Sequence, residues 1–149
     1  AIADYASERH GMTVLLSGGP SVLEASVGAA IEAAARQPLL NLIGKDTLPQ
    51  LVALLQRADL VLSPDSGPAH LANALGTPVI GLHACTWSKR SGPYNTLQLC
   101  VDKFAEAAQR YRNATPEQLR WGTRIEQPGV MDLVEVDEVI ERLDLALKP

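Results

Sequence analysis

The sequence predicts an α/β fold, with helices packed on a parallel sheet, and three observations carry that expectation. Short apolar runs at residues 12–16, 39–43, 59–63 and 77–83 lack polar alternation, the makeup of strands covered on both faces. They recur about every 20 residues with helix-period segments between them, the pattern of right-handed βαβ units. Ala, Leu and Val are plentiful while aromatics make up only 4% of the chain, as suits helices lying against a sheet.

Each element follows from local chemistry. Residues 1–10 place Ile2, Tyr5 and Ala6 on one helical face, and Gly11 stops the helix. Residues 12–16 form a buried strand ending at Ser17-Gly18-Gly19-Pro20. A helix over residues 21–36 carries Val22, Ala25, Ala29 and Ala33 at helical period. The strand at 39–43 ends in the Gly44-Lys45-Asp46 turn, and Thr47 caps a helix reaching Arg57. After the third strand, a short helix over 66–75 leads to the fourth strand at 77–83. A fifth strand is expected at 97–101 and a helix at 103–112. The stretch 113–134 reads as irregular apart from a short helix near 116–121, and a last helix covers 135–147.

The 149 residues suffice for one domain with a real core. A hydrophobic content of 46% with 20% charged residues is ordinary for a globular protein. The net charge of −4 and the lack of any basic cluster beyond Lys89-Arg90 argue against a nucleic-acid partner. No apolar run approaches the ~20 residues that span a bilayer. Cys85 and Cys100 have no metal-ligand spacing and read as reduced thiols, and no metal is expected. The N-terminus has no basic leader and starts as if inside a helix, so a piece of a longer protein, or a processed chain, is expected.

In an open parallel sheet, ligands bind outside the carboxyl ends of the strands. The turns at 17–19, 44–46, 65–67 and 83–86 all fall at that edge, which argues for one ligand site. Asp65-Ser66-Gly67-Pro68-Ala69-His70 is the most informative of them. Its helix start offers free N–H groups and a positive dipole end to a phosphate, while the carboxylate suits sugar hydroxyls. Asp65 and Ser66 also suit plain helix capping. Gly67, which admits a ligand close to the backbone, and His70, one turn after Ser66, favour a binding site.

Ser17 and Gly18 belong to a strand-to-helix turn without the order of a dinucleotide fingerprint. Glu24 is either solvated or an acceptor for ribose hydroxyls. Lys45 and Asp46 lie in a turn whose backbone could meet a base. Thr86, Lys89, Arg90 and the 91–94 turn form a long polar loop, hence one that is disordered or functional.

Three segments carry a family resemblance: Leu16-Ser17-Gly18-Gly19-Pro20 with Glu24, Asn41-Leu42-Ile43-Gly44-Lys45-Asp46-Thr47-Leu48, and Asp65 through His70 with Gly76-Thr77-Pro78-Val79-Ile80-Gly81-Leu82. In that order they resemble glycosyltransferase family 9, the bacterial ADP-heptose:lipopolysaccharide heptosyltransferases, and Thr86 with Gly92-Pro93-Tyr94 resembles the loop that follows. The resemblance covers about residues 1–100 and implies the C-terminal, donor-binding half of a two-lobed GT-B enzyme. That half is a Rossmann-like three-layer sandwich, here expected to lack its first strand and the N-terminal acceptor lobe.

By this resemblance Asp65 binds the donor sugar, Ser66 and Gly67 address the diphosphate, and His70 lies close by. Glu24 holds the ribose, and the 44–47 turn holds the adenine. Transfer of heptose from ADP-heptose to the lipopolysaccharide inner core then needs neither metal nor cofactor. The catalytic Asp and a phosphate-binding Lys of the family fall upstream of Ala1. The 149 residues alone are therefore expected to be inactive. His83-Ala84-Cys85 departs from the family's usual Phe-Gly-Pro before Thr86. The implied location is cytoplasmic, peripheral to the inner face of the inner membrane. Two other readings are a lobe of a sugar-nucleotide epimerase and a stand-alone nucleotide-binding module.

Overall fold

The computed structural model describes residues 1–148, which form two compact units. The first, Ala1–Leu54, contains α1 (Ile2–His10), β1 (Val14–Leu16), α2 (Val22–Ala34), β2 (Leu39–Asn41) and most of α3 (Leu48–Arg57). Gly11 ends α1 at φ +65°, where its N–H reaches the carbonyl of Ser7 and the N–H of Met12 reaches that of Ala6. Asp4, buried on α1, accepts the backbone N–H groups of Arg36 (2.7 Å) and Gln37 (3.0 Å), tying that helix to the chain leaving α2. β1 and β2 pair in parallel with Val14 opposite Leu39 and Leu16 opposite Asn41. Two further bonds, Leu42 N–H to Leu16 O and Gly44 N–H to Gly18 O, extend the pairing into the turns.

The second unit, from Leu55 on, holds β3 (Val61–Pro64), α4 (Gly67–Leu75), β4 (Val79–His83), α5 (Ser88–Ser91), β5 (Val101–Asp102), α6 (Phe104–Arg112) and α7 (Val136–Ala146). β4 is central, parallel to β3 on one side and to β5 on the other. Gly76 at φ +83° closes α4, and Thr77 Oγ1 donates to Leu55 O at 2.7 Å. Beyond β5 a core forms from Ala84, Phe104, Ala107, Ala108, Ile125 and Val130. The Ile125 N–H to Cys85 O bond stitches the irregular stretch onto it.

The α/β class and the parallel pairing are those the sequence predicts, with the hydrogen-bonded ladder in two pieces, one per unit. Three details differ. The expected strand at 97–101 is a 3₁₀ segment, Tyr94–Leu99, followed by the two-residue β5. Thr96 explains this: its Oγ1 accepts the N–H of Val79 (3.2 Å) and donates to its carbonyl (3.0 Å), so a side chain does there what a strand would do. The loop after β4 is ordered, holding α5 and that 3₁₀ segment, and the helix near 116–121 shrinks to a 3₁₀ turn at Pro116–Gln118.

Coverage of the strands also departs from expectation. β4 is closed on both faces, with Val79 and Ile80 fully buried. The central leucines of β1, β2 and β3 (Leu15, Leu40 and Leu62) remain 44%, 54% and 42% exposed. These strands meet helices on one face only within their own units. On α2 only Gly28 is buried, leaving Val22 at 87% and Leu23 at 72% exposure, with Val27 and Ile31 also open.

Candidate functional site

The turn between β3 and α4 gathers a polar cluster around Asp65 in the second unit. Ser91 Oγ donates to Asp65 Oδ2 at 2.7 Å, and Arg90 Nη2 lies 3.9 Å from the same oxygen. His70 Nε2 stands 3.2 Å from Oδ1, because one helical turn brings it back over the start of α4. Burial alone would raise the Asp65 carboxyl. The hydroxyls of Ser91 and Thr86 and the imidazoles of His83 and His70 outweigh it and hold the acid below its ordinary value. The result is a carboxylate ionised at neutral pH that keeps acceptor capacity beyond the bonds it already makes.

Ser66 occupies the N-cap position of α4, but its hydroxyl does not cap the helix. It lies 2.8 Å from Ser63 Oγ instead. The first N–H groups of the helix therefore have no side-chain acceptor, and a Cβ placed on Gly67 would meet no atom within 4 Å. The helix tip faces open space, where an anion is favoured by both the N–H groups and the dipole. The capping alternative for Asp65 and Ser66 is thus not the arrangement adopted.

Behind this cluster the groups are buried. Thr86 is 2% exposed and its Oγ1 lies 3.3 Å from His83 Nδ1, so its hydroxyl serves the cluster from within. Burial pushes His83 below the usual histidine value against the pull of Asp102 and Asp65. Asp102 fixes α5: its carboxylate accepts the N–H of Ser88 at 3.0 Å, the Ser88 hydroxyl, and the N–H of Phe104 at 2.9 Å. Tyr94 Oη donates to the carbonyls of Arg90 (2.6 Å) and Lys89 (3.3 Å) at the other end. Ser91 and Arg90 are held against Asp65 by these two anchors.

The first unit holds Ser17, Gly18, Lys45 and Asp46 in the turns after β1 and β2, and Glu24 in the first turn of α2. Glu24 accepts from the Gly19 N–H and, at 3.2 Å, from Ser21 Oγ, while Ser21 Oγ accepts the Glu24 N–H at 3.1 Å. This reciprocal cap occupies the carboxylate, so a ligand hydroxyl would share or displace those bonds. A Cβ on Gly18 would sit 2.6 Å from Glu24 Oε2, so a side chain there would push the Glu24 carboxylate aside. Ser17 Oγ reaches Asp46 Oδ2 at 3.4 Å, and Lys45 Nζ donates to Asn41 O at 2.7 Å. Thr47 does not cap α3 with its own oxygen; its N–H and hydroxyl both donate to Gln50 Oε1.

Ser91 and Asp102 were missed by sequence reasoning. Ser91 lies in the loop marked for its length and polarity, but nothing in the sequence pairs it with an acid 26 positions earlier. Among the described residues, no group of three His, Cys, Asp or Glu side chains could hold a metal ion, and no helix is long and apolar enough to cross a membrane. Cys85 and Cys100 are free, and burial pushes the Cys100 thiol up to about 11.

The model of glycosyltransferase family 9 (heptosyltransferase) matches residues 2–120. Lipopolysaccharide core heptosyltransferase OpsX of Haemophilus influenzae is 37% identical over 137 residues, covering 92% of this chain and 40% of the relative. Lipopolysaccharide heptosyltransferase 3 of Escherichia coli is 39% identical over 77 residues, covering 51% of this chain and 23% of the relative. The chain therefore spans well under half the length of these curated relatives. The crystal structure of a family 9 glycosyl transferase from Veillonella parvula aligns with 98% of this chain and 39% of its own, at a TM-score of 0.72 and 20% identity. That likeness is one of fold.

Proposed function

The chain belongs to glycosyltransferase family 9, and from that membership we propose that it is the donor-binding part of an inverting transferase that moves heptose from ADP-heptose to the lipopolysaccharide inner core. One observation carries the reading: an ionised Asp65 beside an uncapped helix start that faces open space. The carboxylate accepts hydroxyls of the sugar, while the α4 amides at Gly67 and Ala69 receive the diphosphate, whose charge grows as the glycosidic bond breaks. Arg90, already beside Asp65, adds a cation to the same end. For the first unit the reading assigns the ribose to Glu24 and the adenine to the 44–47 turn.

The transferred sugar is attacked by an acceptor hydroxyl that must lose its proton to a base. The family resemblance puts that base outside these residues, in the lobe that takes the lipopolysaccharide acceptor. Diphosphate departure is assisted by amides and cations, so the reading requires no metal or cofactor. Its setting is the cytoplasmic face of the inner membrane.

Calorimetric titration of the chain with ADP-heptose, ADP, UDP-glucose and NAD tests this. ADP-heptose should bind best. Asp65→Ala should weaken ADP-heptose by about 1.5–3 kcal/mol, the worth of hydrogen bonds to a charged group, and leave ADP nearly unchanged. The 149 residues should bind donor yet turn over none. Equal affinity for all four ligands, or an equal loss for ADP, would overturn the assignment.

A further inference from the structure

β3 has one buried position, and a hydroxyl fills it. Val61 is half-buried, Leu62 and Pro64 are exposed, and Ser63 is covered, at 7% exposure. A buried hydroxyl is costly unless it is hydrogen-bonded. Ser63 Oγ donates to Pro64 O at 3.0 Å and lies 2.8 Å from Ser66 Oγ. Each serine hydroxyl carries one proton. With the Ser63 proton on the Pro64 carbonyl, the contact between the two serines takes the proton of Ser66. The Ser66 hydroxyl therefore points back at the strand.

That direction removes it from the role its position invites. A serine at the N-cap accepts the N–H of the second or third helical residue. Ser21 does this at the start of α2, where its Oγ accepts the Glu24 N–H at 3.1 Å. In α4 the second residue is Pro68, which has no N–H, and the His70 N–H goes to Ser66 O at 3.3 Å. The Ala69 N–H is thus the amide that a Ser66 cap would take, and Ser66 makes no such bond. Ser21 and Ser66 share residue type and place. Three residues earlier, however, the first has Gly18 and the second has Ser63.

We propose that Ser63 is a positioning residue for the donor site: it draws the Ser66 hydroxyl to β3 and so keeps the Ala69 amide open to a ligand's phosphate. The role rests on the donor reading in one respect, the identity of the ligand that takes the amide. Buried beneath the turn, Ser63 acts through Ser66. A cap and an anion compete for the same N–H, so a helix that caps itself binds diphosphate less well.

Ser63→Ala frees Ser66 to turn onto the helix. Amide exchange followed residue by residue by NMR reads this without any ligand. The Ala69 N–H should exchange about five-fold more slowly in Ser63→Ala than in the wild-type chain, as a cap of ordinary strength requires. Calorimetric titration with ADP should show affinity about five-fold weaker, because the cap must open before phosphate reaches the amide. Ser63→Ala/Ser66→Ala removes both partners. It should return Ala69 exchange to the wild-type rate and bind ADP more tightly than Ser63→Ala does. Damage to packing alone would leave the double variant no better than the single one. That result, unchanged Ala69 exchange in Ser63→Ala, or ADP affinity that is unchanged or higher in that variant would overturn the role. The two readings fail separately. A wild-type chain that binds no ADP, with Ala69 slowed in Ser63→Ala, sinks the donor assignment and leaves the hold of Ser63 on Ser66 standing. ADP binding by the wild type with Ala69 exchange unmoved in Ser63→Ala sinks the positioning role alone.

Discussion

Asp4 and Asp65 are two carboxylates held below the ordinary aspartate range by different means. For Asp4 the backbone N–H groups of Gln37 and Arg36 come first, with the N-terminal ammonium assisting against burial. A carboxyl whose folded value lies below its unfolded value binds fewer protons when folded. Its stabilisation is complete above about pH 4 and disappears as the pH falls through the lower folded value. Urea unfolding from pH 7 downward should therefore show the wild-type chain losing stability more steeply below about pH 4 than Asp4→Asn. Parallel curves for the two would refute the coupling. For Asp65 the same direction means that the carboxylate at the candidate site remains charged into mild acid. The sequence pointed to Asp65, Gly67 and His70 because their spacing is local, four or five positions along one turn and helix. It did not point to Asp4, whose partners Arg36 and Gln37 lie more than thirty positions away.

At the scale of elements, α5 is four residues long and cannot hold itself together. Its position comes from Asp102 at one end and Tyr94 at the other. Asp102→Ala leaves the Ser88 and Phe104 N–H groups without their acceptor, which should cost about 1–3 kcal/mol in a denaturant melt. Hydrogen exchange should accelerate across 88–91 while β3 and β4 keep their protection. Uniform acceleration over the whole unit would show that Asp102 supports the fold rather than α5. The boundaries of α4 and β4 were legible to within two residues because Gly67-Pro68 and Gly76-Thr77-Pro78 punctuate the chain locally. The run at 97–101 was read as a strand because its composition is apolar. What decides its shape is a hydroxyl at Thr96 reaching a strand seventeen residues earlier, and composition carries no trace of that.

Across the whole chain, the α/β class and parallel pairing came from the spacing of apolar runs, which is set by the length of a βαβ unit. Coverage was not legible. A leucine in a strand has the same sequence signature whether a helix lies over it or not, so the exposed faces of β1, β2 and β3 surface only in the structure. The site shows the same division. Ten candidate residues were named from motif spacing, five in each unit; seven lie in turns after strands, while Glu24 lies in the first turn of α2 and Gly67 and His70 in the first turn of α4. Burial then separates them: Thr86 works from inside, while His70 and the space over Gly67 face outward.

The bare side of α2 governs how the purified chain will behave in the tube. A helix that keeps Val22, Leu23, Val27 and Ile31 wetted invites oily surfaces to meet. Light scattering should report particles that grow with protein concentration and in sulfate, which strengthens such burial. Exchanging Val27 and Ile31 for lysine should restore a monodisperse solution without touching the ligand groups.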